Sequence, residues 1–323
     1  MILSELQQSA VKKFNQRIHD GLISFETKPC LCNSNCFDKI FKYDRYGLWH
    51  PVVICKDCGL VQSNPQLSDE EYKRFYLTDD YRILYSGENY LEICKSKYKE
   101  SNHIFDALAS IMKELNLNTI LEFGCGGGWN LLPLYKNGYA VTGYDYSCNL
   151  VKLGRSYGLN LRQGSFAEIS ATNDKYDVII LSHVIEHFTD FFNNMTSILQ
   201  NLNTNGILYA AVPNIDNFWK GQFQNAHIYY FSPRTFNHYM KMCGLEVLEF
   251  GSALKLFHMY GIYKRAAISS IQKNQLSSEY DLMKAKIAKC KFKSTIVSFL
   301  EKIGIKSQLK SLIDFLNIYK WQG

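Results

Sequence analysis

Glu122-Phe123-Gly124-Cys125-Gly126-Gly127-Gly128 is the stretch that decides the fold. It follows Thr119-Ile120-Leu121, apolar like a buried strand, and precedes a helical pattern. A glycine-rich turn between a first strand and a helix lets the backbone approach a ligand closely. The next strand-like run, Tyr139 to Tyr144, ends on Asp145, and a carboxylate there can accept both hydroxyls of a ribose. The pair predicts a nucleoside-type cofactor site on a parallel sheet. A dinucleotide fingerprint would place a third glycine where Trp129 stands, and tryptophan is too large for that position.

Downstream, Tyr176-Asp177-Val178-Ile179-Ile180-Leu181-Ser182 reads as another buried strand, followed by His183-Val184-Ile185-Glu186-His187-Phe188-Thr189-Asp190. A helix, the turn Asn203-Thr204-Asn205-Gly206 and a strand over Ile207 to Val212 come next. In these motifs the chain resembles class I S-adenosylmethionine-dependent methyltransferases, especially the ubiquinone-biosynthesis-type branch, whose valine-(leucine/isoleucine)-glutamate-histidine motif is matched by Val184-Ile185-Glu186-His187. The likeness spans roughly residues 100–255. It implies an α/β fold, a Rossmann-like seven-stranded sheet ending in an antiparallel hairpin. It also implies S-adenosylmethionine as cofactor, with Glu122 near the methionine end, Gly124 and Gly126 leaving room for the ligand, and Asp145 on the ribose. Tyr146, Ser147, Ser165, Phe166, Ser182 and His183 follow as cofactor contacts by position. Many relatives carry aspartate where Ser165 stands, so the adenine contact rests there on a hydroxyl or on the backbone.

Methyl transfer to a hydroxyl needs an in-line acceptor and a group to take its proton. Histidine titrates in the right range. His187 and His183 follow the fourth strand, and His227 lies in Asn225-Ala226-His227-Ile228-Tyr229-Tyr230-Phe231-Ser232, which resembles the family's histidine-containing segment beside the acceptor. His227 and His187 rank as candidate bases above His183, and each could instead serve as a structural hydrogen-bonding group. Tyr81 and Tyr85 are candidates for a lid or for helix packing.

The chain has 323 residues, 46% hydrophobic and 14% aromatic, enough for one sizeable domain with accessories. No run is long enough to suggest a membrane span or a signal peptide. Ten cysteines without an export signal predict a reducing cytoplasm and metal binding rather than disulfides. Residues 255–323 hold thirteen Lys and Arg against four Asp and Glu, a net of +9 out of the chain's +6, which leaves −3 elsewhere. An acidic body argues against a nucleic-acid surface.

Cys55-Lys56-Asp57-Cys58-Gly59 has the spacing of half a zinc knuckle. By spacing alone Cys32 with Cys36 would complete it. The surroundings resemble an N-terminal zinc-binding module of many bacterial methyltransferases, matched by Leu31-Cys32-Asn33-Ser34, Asp44-Arg45-Tyr46-Gly47 and Gly59-Leu60-Val61. That resemblance makes the metal ligands Cys30, Cys32, Cys55 and Cys58, with Cys36 the alternative to Cys30.

The expected organisation is a zinc-binding module over residues 1–68, a helical linker or lid over 69–117, the methyltransferase domain over 118–266 and a basic helical tail over 267–323. Leu309, Leu312, Ile313, Leu316 and Tyr319 make one helical stripe flanked by lysines. It suits packing on the catalytic domain or on a second subunit in a homodimer, or peripheral docking on the inner face of an anionic membrane. The expected function is O-methylation of a small molecule, a sugar or glycan. The alternatives are C- or N-methylation of a nucleotide-sugar and a non-catalytic binding module. Deoxysugar C-methyltransferases share a segment like Cys58-Gly59-Leu60-Val61-Gln62, but usually carry a further large C-terminal domain.

Overall fold

The computed structural model describes residues 3–77, 83–85, 90–100, 102–164, 174–217, 220–253, 258–266 and 278–289, with positions 168, 172 and 276. Ser165, Phe166, Tyr81 and the stripe over 309–319 lie outside the described residues. The described strands are β1 (Phe25–Glu26), β2 (Phe37–Tyr43), β3 (Trp49–Cys55), β4 (Val61–Ser63), β5 (Gln66–Leu67), β6 (Thr119–Phe123), β7 (Ala140–Asp145), β8 (Leu161–Gln163), β9 (Tyr176–Ser182), β10 (Leu202–Pro213), β11 (Tyr229–Tyr230), β12 (Leu245–Ala253) and β13 (His258–Arg265).

Seven strands form one sheet in the order β12-β13-β10-β9-β6-β7-β8. β8, β7, β6, β9 and β10 run parallel, and β13 and β12 pair antiparallel at the edge. The order reverses between β6 and β9, so the carboxyl ends of these central strands open a crevice at the switch point. Side chains alternate across a strand, and the core sorts accordingly. Ile120, Val178, Ile180, Ile207 and Tyr209 pack in one cluster, while Leu121, Phe123, Ile179, Leu181 and Leu208 pack in another. Three helices begin at residues whose side chains cap them. Ser147 caps Cys148–Arg155, Asp190 caps Phe191–Gln200, and Ser232 with Pro233 starts Pro233–Met242 through a capping box with Thr235.

The cysteine-rich region is joined to this sheet. Cys30, Cys55, Cys58 and Leu60 belong to the same apolar cluster as Leu121 and Ile179. The four-stranded sheet there, β11-β4-β3-β2, takes its edge strand β11 from residues 229–230, far along the chain. A second tie comes from the end of the described chain. Residues 279–289 are helical, and Met283 and Ile287 are buried with Ile40, Val52, Ile54 and Val61. A side chain at Gly59 would come within 2.6 Å of the backbone of Glu279 and Tyr280, so the strap lies directly on the cysteine knuckle. Glu279 is buried, accepts a hydrogen bond from Ser232 Oγ, and pairs with Arg234 at 3.4 Å.

Burying a Met or Ile side chain stabilises by about 1.5–3 kcal/mol. A chain ended at residue 277 is therefore expected to be roughly 3–6 kcal/mol less stable than one ended at 289. Urea unfolding measures the difference, and equal midpoints would show that the strap does not hold.

Candidate active site

Gly124 and Gly126 follow β6 with φ of +63° and +58°, in the left-handed region. A side chain at Gly124 would meet Val184 at 2.8 Å, and one at Gly126 would meet the Trp129 ring at 2.2 Å. The ring of Trp129 thus lies over the loop in the space that Gly126 leaves. Tyr98 fixes the same loop by donating to the Gly127 carbonyl at 2.6 Å.

Glu122, at the end of β6, is buried. Its Oε1 accepts from Asn130 at 2.7 Å, and its Oε2 is buried without a hydrogen-bond partner among the described residues. Burial pushes its carboxyl up to about 8, with the Asp145 charge adding to the rise and the Asn130 hydrogen bond opposing it. Asp145 closes β7, where one carboxylate oxygen accepts from Gly126 N–H at 2.8 Å and the other from Ser147 N–H at 2.7 Å. A carboxylate oxygen has two lone pairs and can accept a ribose hydroxyl beside a backbone N–H. Ser147 uses its own hydroxyl to cap the following helix, and Tyr146 is exposed. The space that Gly124 and Gly126 leave is taken by Val184 and the Trp129 ring, so the glycines serve the tight turn rather than a cradle for the ligand. The orphaned buried carboxylate oxygen and the Asp145 carboxylate fit S-adenosylmethionine. The nearby cationic methionine end would favour ionised Glu122.

The histidines gather beside this loop, and Val184 in contact with Gly124 marks the junction. Ser182 ends β9, and His183 follows it with φ +57°, unusual for a non-glycine residue, with Nδ1 3.2 Å from Glu186 Oε1. His187 Nδ1 lies 2.7 Å from both the Ala226 carbonyl and the Tyr76 hydroxyl. The His187 and His227 rings meet edge-on at 4.8 Å, and His227 also contacts Gln224. Burial holds both imidazoles below the usual histidine range, His227 far below it. His183, His187 and His227 therefore share the carboxyl end of the central strands with the cofactor loop.

Sequence reasoning missed much of the support. The Tyr85 hydroxyl donates to Asn225 at 2.7 Å, and the Arg45 guanidinium lies over Tyr46 and Tyr85. Asp44 accepts from Tyr46 and Leu48 N–H at 2.8 and 2.9 Å, and from Asn225 N–H at 3.1 Å. Asp44 thereby ties the turn Asp44-Arg45-Tyr46-Gly47 to the segment that carries His227. The motif was visible in the sequence, but its long-range partner was not.

Cys30, Cys32, Cys55 and Cys58 bring their sulfurs within 4.8 Å of one another. Cys30 and Cys58 are 3.4 Å apart, and Cys32 and Cys55 3.6 Å. Four sulfurs around one zinc at ordinary bond lengths would be about 3.8 Å apart, so the set fits tetrahedral zinc closely. Asn33 at φ +65° and Gly59 at φ +72° turn the two knuckles. The Tyr239 hydroxyl donates to Cys58 Sγ at 3.1 Å. Cys36 is exposed and outside the group.

Residues 97–250 match a family model described as "Methyltransferase domain". The ubiquinone biosynthesis O-methyltransferase of Rickettsia prowazekii is 30% identical over 119 residues, 35% of this chain and 46% of that protein. The protein of the same name from Rhizobium leguminosarum bv. trifolii is 24% identical over 178 residues, 51% of this chain and 66% of its own length. The chain spans about half the length of the first curated relatives it matches. Among solved structures, Burkholderia thailandensis 1,6-didemethyltoxoflavin-N1-methyltransferase, with bound 1,6-didemethyltoxoflavin and S-adenosylhomocysteine, shares the fold at a TM-score of 0.50 and 13% identity, covering 65% of this chain and 97% of that one. Among the described residues no helix is long and apolar enough to cross a membrane.

Asp145→Ala is expected to weaken S-adenosylmethionine binding by about 1.5–3 kcal/mol, the value of a charge-assisted hydrogen bond, in a protein that stays folded. Calorimetric titration reads it directly, and unchanged affinity would remove Asp145 from the site.

Proposed function

Starting from a chain that carries a class I S-adenosylmethionine-dependent methyltransferase domain, we propose that it methylates a hydroxyl of a sugar or glycan. The observation that carries the proposal is the meeting, at the carboxyl end of the central strands, of the Glu122–Asp145 cofactor loop with the cluster of His183, His187 and His227. Bound S-adenosylmethionine supplies a methyl group on a positively charged sulfur. Asp145 holds the ribose, and Glu122 faces the methionine end. Ser182 and His183 line the methionine side from the end of β9. His187 and His227 stand on the acceptor side, and the imidazole cluster takes the hydroxyl proton as the methyl–oxygen bond forms. Positioning of this kind can supply about 7–11 kcal/mol in favourable cases.

The surroundings of His187 and His227 are polar. The Tyr76 hydroxyl meets His187, the Tyr85 hydroxyl donates to Asn225, and the Arg45 guanidinium lies over Tyr85. This setting suits a polyhydroxylated acceptor better than an apolar one. The support for zinc is the gathering of four cysteine sulfurs within 4.8 Å of one another, a closed site that would have a structural role. The test is incubation of purified protein with methyl-labelled S-adenosylmethionine and a panel of nucleotide-sugars, glycans and simple phenols. Label is expected on a sugar oxygen. Label only on phenols would overturn the acceptor class, and cofactor binding without transfer to any acceptor would favour a binding module.

A further inference from the structure

Arg45 has no carboxylate partner in the described fold. The arginine ion pairs among the described residues are those of Arg74 with Glu71 and Arg234 with Glu279. The neighbouring Asp44 spends its carboxylate on the backbone N–H groups of Tyr46, Leu48 and Asn225. The groups that the Arg45 guanidinium meets are neutral. Nη1 makes a long contact with the Gly221 carbonyl at 3.5 Å, and the planar group lies 4.7 Å from the Tyr46 ring centre and 5.7 Å from that of Tyr85. Its Nε–H is buried without a hydrogen-bond partner among the described residues. An unmet buried donor carries its full desolvation penalty, more so on a charged group, and calls for an explanation. One ordered water would satisfy the N–H but would leave the charge without a counter-charge.

A second unmet donor stands beside it. Asn225 is 2% exposed, its Oδ1 accepts from the Tyr85 hydroxyl at 2.7 Å, and its Nδ2 is buried without a partner among the described residues. Tyr85 therefore touches both the amide and the guanidinium. The two segments are tied together by the backbone as well, since Arg45 N–H donates to the Phe223 carbonyl at 2.9 Å. Asn225 lies two residues before His227. The Arg45 charge reaches that imidazole, adding to burial and the neighbouring histidines in holding it below its usual range. The cation thus sits at the acceptor end of the histidine cluster. A guanidinium offers a planar fork of donors that matches a carboxylate or a phosphate with two hydrogen bonds. Seated against two aromatic rings, this one loses little freedom when it binds.

We propose that Arg45, with the Asn225 amide, holds an oxyanion carried by the acceptor, a phosphate or a carboxylate on the sugar. The site thereby selects anionic sugars over neutral ones. The inference rests on the sugar-methyltransferase reading and narrows its acceptor. Arg45 takes no part in the transfer of the methyl group. It fixes the end of the acceptor remote from the reacting hydroxyl, so that positioning comes from a charged anchor as well as from the imidazoles.

The test titrates the full chain, in the presence of S-adenosylhomocysteine, with glucose 1-phosphate, glucuronate and glucose. S-adenosylmethionine affinity is measured on the same preparations. At least one anionic sugar is expected to bind tenfold or more tightly than glucose, and the tighter of the two identifies the oxyanion. Arg45→Gln is expected to erase that preference. Arg45→Lys should keep part of it, because an ammonium supplies the charge without the fork. Both variants should keep wild-type cofactor affinity. Equal binding of the three sugars by the wild type, or binding of none, overturns the proposal. So does an undiminished preference in folded Arg45→Gln, which would place the anion on other basic groups. The wild-type comparison needs no variant, so it decides even if Arg45→Gln fails to fold. Intact cofactor affinity without an anionic preference sinks only the anchor. A wild type that does not bind S-adenosylmethionine sinks the methyltransferase reading beneath it.

Discussion

Cys55→Ser is expected to empty the four-cysteine site of zinc and to destabilise the protein by on the order of 4–5 kcal/mol, the range reserved for losses such as a structural metal. The reason lies in what the site holds. Cys55 ends β3 in the four-stranded sheet, whose far edge is β11, two residues after His227. Cys58 takes a hydrogen bond from Tyr239 in the helix that follows, and the strap at 279–289 lies on Gly59. Loosening the knuckle therefore loosens the acceptor side, and turnover is expected to fall together with stability. The cofactor loop hangs on β6 and β7, so S-adenosylmethionine affinity should change less. Metal analysis, a melting curve and a turnover assay on Cys55→Ser, with Cys36→Ser as control, test this. Cys36 is exposed and outside the sulfur group, so that variant should match the wild type in zinc content. Wild-type protein that is folded and free of zinc would remove the metal, and zinc lost from Cys36→Ser would reassign the fourth ligand.

His187→Ala and His227→Ala are each expected to lower turnover by about 10²- to 10⁴-fold, or roughly 3–5 kcal/mol of barrier, while leaving cofactor affinity near that of the wild type. Both rings lie on the acceptor side of the cluster, and neither makes a described hydrogen bond to the Glu122–Gly128 loop. The loss should fall on kcat more than on the cofactor dissociation constant. Wild-type turnover in both variants would move proton removal to another group. Parallel loss of cofactor affinity and turnover would instead show that the rings hold up the site as a whole.

The cofactor half of the site was legible in the sequence because its parts are local. The strand, the turn and the helix after it are adjacent in the chain, and Asp145 ends the next strand, so a period of two followed by glycines suffices to place them. Ser232-Pro233 announced its helix for the same reason, as cap and first turn are neighbours. The pair Cys55 and Cys58 was readable from spacing, whereas Cys30 over Cys36 needed either the family resemblance or the fold. The ranking of the histidines could not be read. His183, His187 and His227 are equivalent as letters, and their differences come from Glu186, Tyr76 and Ala226, none of which carries a signal of its partner.

By itself the sequence determined the alternation of strands and helices, the cofactor loop with its carboxylates, and the presence of a thiolate knuckle. These follow from short-range sterics, hydrophobic period and fixed spacing, which act within about a dozen residues. Only the tertiary structure decided that β11 completes the cysteine-rich sheet, that Asp44 reaches Asn225, that the strap at 279–289 lies on Gly59 of the cysteine knuckle, and that Glu186 is buried among imidazoles. Each of these contacts joins segments that are remote in the chain or a buried charge to its surroundings. Their energies depend on burial and on partners brought near by the whole fold, and a residue's own neighbours in sequence do not encode them.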